Sequence, residues 1–306
     1  MISDNFYGSR NADVLGMKSG TSNGAVIIAT IFVGWIASKH WHLAFAVYLI
    51  PIIPLLLLPF ISQKYINEHT VNGSVSAQTT YKPAVKASAP VAAAPMTDRE
   101  RLLRLLAIMG VYITITYATT SLYYCLPFTM SYYKLSTGAV GIATAMFYAG
   151  ATLFGFALPL FKRIFKAVTM PVSILITLCG IVLMIFVHTL PAYVIGVFLT
   201  GVGYGIVQPM IYNKTTALAP DPSKNTQYFA YVLTGNYIAI AAAPFFVKLV
   251  ATLCHTTTEA SPDFAIILAA VVTAALFVIS LLFLKGYAFK TDQAEPAAPA
   301  RAETKD

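Results

Sequence analysis

Tyr117, Thr120 and Tyr124 recur at spacings of three and four inside Leu105–Tyr133, a stretch without one charged side chain. That spacing puts all three on one helix face, with Pro127 following close behind. A second uncharged stretch sets Tyr204 and Gln208 four residues apart, directly before Pro209, with Asn213 beyond. A third holds Tyr231, Thr234, Asn236 and Tyr237, with Pro244 further along. Hydroxyls and amides in such settings donate and accept hydrogen bonds, so the chemistry on offer is non-covalent binding of a small organic solute. The candidate ligands of that solute are Tyr117, Thr120, Tyr124, Tyr204, Gln208 and Asn236. Pro127, Pro209 and Pro244 each remove a backbone hydrogen bond within an apolar run and are the candidate kinks or gates. Each polar residue also has a structural reading. Thr and Ser hydroxyls can bond the preceding turn, and Gln208 or Asn236 can tie two helices together. Ser22 and Asn23 could also face a pathway, although the small residues around them argue mainly for packing.

Other chemistries are poorly supplied. The twelve acids are Asp4, Asp13, Glu68, Asp98, Glu100, Asp221, Glu259, Asp263, Asp292, Glu295, Glu303 and Asp306, and none falls in the middle of an apolar stretch. An ionisable group at the bilayer centre costs at least ~2.5–3.5 kcal/mol and so marks an ion or proton route where it persists; this chain carries no such marker. Cys125, Cys179 and Cys254 share no metal-binding spacing. His40, His42, His188 and His255 gather at one side of the apolar stretches, where interfacial placement explains them without a metal. No catalytic set, metal site or cofactor is implied.

The elements that must carry these residues follow from hydropathy. Hydrophobic residues make up 58% of the chain, charged residues 10%, and mean hydropathy is +0.71, which excludes an ordinary soluble domain. A bilayer core of about 30 Å needs ~20 apolar helical residues, and backbone groups in lipid must be satisfied within each segment. The spans read as Lys18–Ser38, His42–Ile61, Leu102–Met130, Gly138–Phe161, Val168–Val187, Pro191–Tyr212, Gln227–Val250 and Asp263–Leu284. The fold class is therefore an all-α polytopic membrane protein of eight helices. Of the 20 Lys and Arg residues, all but Lys39, Lys134 and Lys248 fall on one side of that array. The positive-inside rule makes this side cytoplasmic, with both termini on it, as expected in a plasma (inner) membrane. The net charge of +8 thus reports topology, and nucleic acid is not an expected partner.

The chain divides into two spans within residues 1–61, a flexible Ala/Pro-rich linker over 62–101, six spans within 102–285 and a polar tail over 286–306. Thr97 and Glu100 form a capping box at the start of the third span, while Pro191 and Pro262, the latter after a possible cap at Ser261, read as first helical positions. Four sequence features resemble the major facilitator superfamily. One is the entry Arg10-Asn-Ala-Asp-Val-Leu-Gly16 leading into small residues. Another is Gly34-Trp-Ile-Ala-Ser-Lys-His-Trp-His-Leu-Ala-Phe45. The third is the glycine-rich series Gly196, Gly201, Gly203 and Gly205 ending in Pro209, which also reads as a helix-packing surface. The last is Gly155-x3-Pro159-Leu-Phe-Lys162-Arg-Ile-Phe-Lys166, a degenerate copy of the family's short basic loop that lacks its acidic residue.

The resemblance implies a secondary active transporter that rocks one half against the other around a small organic solute, with the bilayer as its surroundings and a coupling ion as a possible partner. It implies that the spans present are the fifth to the twelfth, a complete six-helix C-terminal bundle preceded by two helices of an incomplete N-terminal half. The family's exporters often carry Gly-Pro with paired glycines in the fifth span, and Asn23–Gly34 has no proline, which weakens an antiporter assignment. The competing readings are a complete eight-span scaffold or channel and a membrane-embedded enzyme. Substrate, coupling ion and direction are not encoded in any of these features.

Overall fold

The computed structural model describes residues 8–39, 52, 96–135, 137–220, 224–255 and 263–289. They form α1 (Gly8–Lys39), α2 (Asp98–Tyr132), α3 (Thr137–Phe156), α4 (Leu158–Phe165), a 3-10 turn (Lys166–Val168), α5 (Thr169–Phe186), α6 (Leu190–Ala217), α7 (Asn225–Leu253) and α8 (Phe264–Leu282). The described residues contain no strand. Two compact units emerge, one of residues 1–31 and 99–306 and one of residues 32–98. Within the second unit the description covers the end of α1, Ile52 and the approach to α2.

Among the described residues, five helical segments are long and apolar enough to cross a membrane: Asp98–Tyr132, Leu158–Phe186, Leu190–Ala217, Asn225–Leu253 and Phe264–Leu282. The apolar part of α3, Val140–Phe156, is shorter than these five. Of the other expected spans, the first coincides with α1, and the second lies outside the described residues apart from Ile52. The linker up to residue 95 and the tail from residue 290 are also outside them.

The fourth expected span, Gly138–Phe161, is divided. Pro159 cannot donate to Gly155, and α3 ends at Phe156 while α4 opens at Leu158 with the proline in its first turn. The stretch expected as a short basic loop is thus mostly helical. Pro191 takes the second helical position of α6 behind the cap residue Thr189, one place later than expected. α8 is capped at Asp263, and Ser261 and Pro262 lie outside the described residues. Helix α2 ends in a Schellman arrangement: Leu135 N–H bonds Met130 O at 2.8 Å, Lys134 N–H bonds Ser131 O at 3.0 Å, and Lys134 takes φ 56°.

Helix–helix contact in lipid has little hydrophobic drive and relies on close packing. Here α6 is the packing axis, closest to α3 and α5. A Cβ on Gly201 would stand 2.0 Å from the Phe147 carbonyl oxygen of α3, and one on Gly205 2.5 Å from that of Ala151. A Cβ on Gly203 would meet Thr177 Oγ1 of α5 at 1.9 Å, and one on Gly196 the Gly180 oxygen at 2.6 Å. Only glycine admits backbones this close. Around that axis Ala118, Leu122, Leu126 and Met130 of α2 join Phe147, Ile181, Met184, Tyr193 and Val197 in one buried cluster with Ile266 and Ala269 of α8. A second cluster sets Tyr117 against Ala243, Val247 and Ala265.

At the ends of α2 and α8, Tyr133 donates its hydroxyl to Asp263 Oδ2 at 2.5 Å, and its ring stacks on His188 at 3.9 Å. The hydrogen bond to the Asp263 carboxylate, with burial, pushes the Tyr133 hydroxyl up to about 12. Its folded value lies above the ordinary value of 10.0, so the stabilisation is complete below pH 10 and lost between about 10 and 12. The melting-temperature difference between wild type and Tyr133→Phe should accordingly be constant to pH 10 and shrink above it; a difference unchanged at pH 11.5 contradicts this. Packing makes a second prediction. Gly201→Ala should lower stability in detergent by at least ~1–3 kcal/mol through overpacking. Gly110→Ala, where nothing stands within 4 Å of the new Cβ, should not lower the melting temperature and should raise it slightly, since alanine is about 0.5–1 kcal/mol better than glycine inside a helix.

Candidate functional site

Tyr204, Gln208 and Tyr212 follow one another at intervals of four on α6, so they form a ladder along one side of the helix. Gln208 is its centre. The amide Nε2 lies 3.2 Å from the Tyr204 hydroxyl, 2.9 Å from that of Tyr212 and 3.2 Å from that of Tyr112 on α2. Ser19 of α1 donates to Gln208 Oε1 at 2.6 Å. The Tyr112 and Tyr212 hydroxyls are 2.9 Å apart, and their rings meet edge to face at 5.8 Å. Three helices therefore converge on one side-chain amide.

Counting protons shows what this arrangement can do. The amide has two hydrogens to offer three phenolic oxygens. Of the three phenolic protons, one is used between Tyr112 and Tyr212. The Tyr204 hydroxyl has Tyr112 and Thr116 as further hydrogen-bond partners. A solute oxygen placed here would exchange one hydrogen bond for another among these hydroxyls, at little net cost. The Lys18 Nζ stands 5.9 Å over the Tyr212 ring.

The remaining candidates are placed differently. Tyr117 is buried, edge to face on Phe246 of α7 at 5.1 Å, and its hydroxyl has no partner. Thr120 is buried, whereas Tyr124 is 49% exposed; the three share a helix face but not an environment. Asn236 is 3% exposed with Oδ1 unpartnered. Ser121 Oγ and Asn23 Nδ2 are likewise buried without a partner, while Ser22 is exposed. Thr114 and Thr119, by contrast, return their hydroxyls to backbone carbonyls of the preceding turn. Pro127, Pro209 and Pro244 all lie inside uninterrupted helices, and α6 continues from Pro209 to Ala217 rather than ending there.

Ser19, Tyr112 and Tyr212 escaped singling out in the sequence. Tyr212 had a usable signal, its position four residues after Gln208. Ser19 is 189 residues from its partner, and no local pattern connects them. The same holds for two further links from α1. Asn11 Nδ2 donates to Asn213 Oδ1 at 2.9 Å and lies 3.2 Å from Thr216 Oγ1. Asp13 Oδ1 meets Lys162 Nζ of α4 at 2.6 Å. No group of three or more His, Cys, Asp or Glu stands close enough to hold a metal among the described residues.

Comparison with protein-family models gives a match to the Major Facilitator Superfamily over residues 1–244 and, overlapping it, 108–305. No curated protein and no solved structure matches the chain.

Replacing Gln208 tests the cluster's internal bonding. Gln208→Leu deprives Ser19 of its acceptor and three tyrosines of their common donor, so it should cost about 1–3 kcal/mol, read by thermal unfolding in detergent. Ser19→Ala in the Gln208→Leu background should then cost nothing further; additive losses would mean that the two residues do not act through one bond.

Proposed function

The chain belongs to the major facilitator superfamily and is a membrane transporter in kind, and from that premise we propose that it carries a small uncharged organic solute rich in acceptor oxygens, held at Gln208. The observation that supports this most is the convergence of three phenolic hydroxyls, from Tyr112, Tyr204 and Tyr212, on that amide. Tyrosine rings also present apolar faces, which suits a solute with a hydrocarbon or ring body. Tyr117, Thr120 and Asn236, with their buried hydroxyl and amide groups, extend the same polar lining on α2 and α7, and Tyr124 stands at its exposed edge.

The proposed cycle is secondary active and rocks the six-helix unit against the half to which α1 belongs. Ser19 occupies the Gln208 carbonyl in the present state, so a solute hydroxyl that replaces it loosens one of α1's links as it binds. Asp13–Lys162 and Asn11–Asn213 are the links that must then open. Pro209, beside the amide, and Pro127 and Pro244 are the places where the helices can flex, because each leaves a carbonyl without its intrahelical donor. The expected setting is a plasma membrane with the basic-rich side cytoplasmic.

A carboxylate-bearing solute is the second reading, favoured by Lys18 over Tyr212. Thermal-shift measurements on the purified chain separate the two, using a panel of uncharged polyols, amides and phenols beside monocarboxylates. Uncharged solutes should raise the melting temperature, and Tyr204→Phe with Tyr212→Phe should abolish the shift while Lys18→Gln leaves it intact. A shift confined to carboxylates and lost in Lys18→Gln establishes the second reading. No shift with any solute removes the cluster as a binding site.

A further inference from the structure

A cavity lies between the first part of α2 and the last part of α8, and no residue of the Gln208 cluster lines it. Its volume is about 600 Å³, within the ~300–1,000 Å³ range of sites that take an organic ligand. The cause is a divergence of two helices. Tyr117 of α2 packs with Ala265 of α8, and Leu122 and Leu126 share a buried cluster with Ile266 and Ala269. Toward the other end Leu103, Ala107 and Gly110 face Ile279 and Phe283 across an open groove. Nothing stands within 4 Å of a Cβ built on Gly110. Leu103, Ile279 and Phe283 are exposed apolar side chains, as expected of a wall that meets lipid.

The mouth of the groove is polar and basic. Arg104 and Glu100 line it and pair with each other, the Arg104 side chain remaining one-third exposed. A guanidinium has five donors in a planar fork suited to phosphate, and Glu100 engages Nη2. The Tyr287 ring closes this end, with the Arg104 guanidinium 4.9 Å from its centroid and Lys214 Nζ 5.1 Å from it. Lys214 also donates to the Tyr287 carbonyl at 2.9 Å, and the Tyr287 hydroxyl donates to the Lys214 carbonyl at 3.1 Å. Exposed Lys285 adds a further positive charge nearby in the chain. An apolar trough opening onto fixed cations at the basic-rich end of a membrane bundle matches one molecule in both its parts.

We propose that this groove binds an anionic phospholipid, with one acyl chain between α2 and α8 and the headgroup phosphate on Arg104. The assignment rests on reading the basic-rich side as the one facing the anionic leaflet, and it is independent of the solute carried. The chain's own tail is a poor occupant. Residues 290–306 read KTDQAEPAAPARAETKD and offer no large apolar side chain to fill the trough. Basic sites between helices on the cytoplasmic side recur as lipid headgroup sites.

Native mass spectrometry of the full chain, given phosphatidylglycerol or phosphatidylcholine of identical acyl chains, tests this. The wild type should retain phosphatidylglycerol at least tenfold better than phosphatidylcholine. Arg104→Gln should abolish that preference. Gly110→Phe, whose ring enters open space, should lose both lipids with a melting temperature no lower than the wild type's. Equal retention of the two lipids by the wild type overturns the proposal, as does an Arg104→Gln variant that keeps the preference or a Gly110→Phe variant that binds as before. So does a wild-type dimer that Gly110→Phe converts to monomer, which assigns the groove to a second copy.

Discussion

Backbone-to-backbone contact at the glycines of α6 is the constraint on which the rest of the described structure depends. In lipid, apolar side chains gain little by leaving one hydrocarbon environment for another, so helices hold together only where many atoms reach van der Waals distance. Gly201 and Gly205 bring α6 onto α3, and Gly196 and Gly203 bring it onto α5. With two of its sides committed, the helix has no rotational freedom left. The direction of its Tyr204–Gln208–Tyr212 ladder is thereby fixed by packing several turns away. A site whose geometry depends on hydrogen bonds of 2.6–3.2 Å needs that kind of support, because the amide cannot orient itself among three hydroxyls on a rolling helix.

The polar atoms of the bundle fall into two populations, and the difference is physical. Thr114, Thr119, Thr177, Thr215 and Thr273 bond carbonyls of their own preceding turn, which settles their hydroxyls locally and requires nothing of a neighbour. Tyr117, Ser121, Tyr123 and Asn236 carry buried atoms with no partner. Those atoms lie on α2 and α7, and Asn23 of α1 and Thr152 of α3 carry others. Several unmet groups on the same helix cost more than their random placement would justify, and a bound solute or ordered water that met them would recover that cost.

Helix existence was legible in the sequence because uncharged runs of membrane length have few alternative structures, and α1, α2, α5, α6, α7 and α8 appear where hydropathy places them. Ends were less legible. Pro159 lies within an unbroken apolar run, and hydropathy alone does not register that a missing N–H divides it into α3 and α4. In the site, Tyr204 and Gln208 were readable since the pair is local. Tyr112 lay in view among many hydroxyls of α2, but which of them faces α6 is a matter of helix rotation. Ser19, Asn11 and Asp13 could not be found at all, since their partners are chosen by tertiary packing across most of the chain. Tyr124 shares a helical stripe with Tyr117 yet stands half exposed, because a stripe specifies direction and not what lies opposite it.

The links of α1 to the rest of its unit differ in kind along its length, and the order has consequences for movement. Ser19 meets Gln208 through two neutral groups, a bond that a solute hydroxyl can replace with little net change in energy, since one hydrogen bond is exchanged for another. Asn11 and Asn213 are likewise neutral. Asp13 and Lys162 are charged, and the Lys162 side chain is only 7% exposed, so their separation must be compensated by water or a new partner reaching a nearly buried ammonium. In the proposed cycle, a solute arriving at Gln208 would therefore act first on the bond that is easiest to exchange. The ion pair would give way only once the opening was wide enough to hydrate it. That order would make the solute a condition for movement and the ion pair a restraint on movement without it.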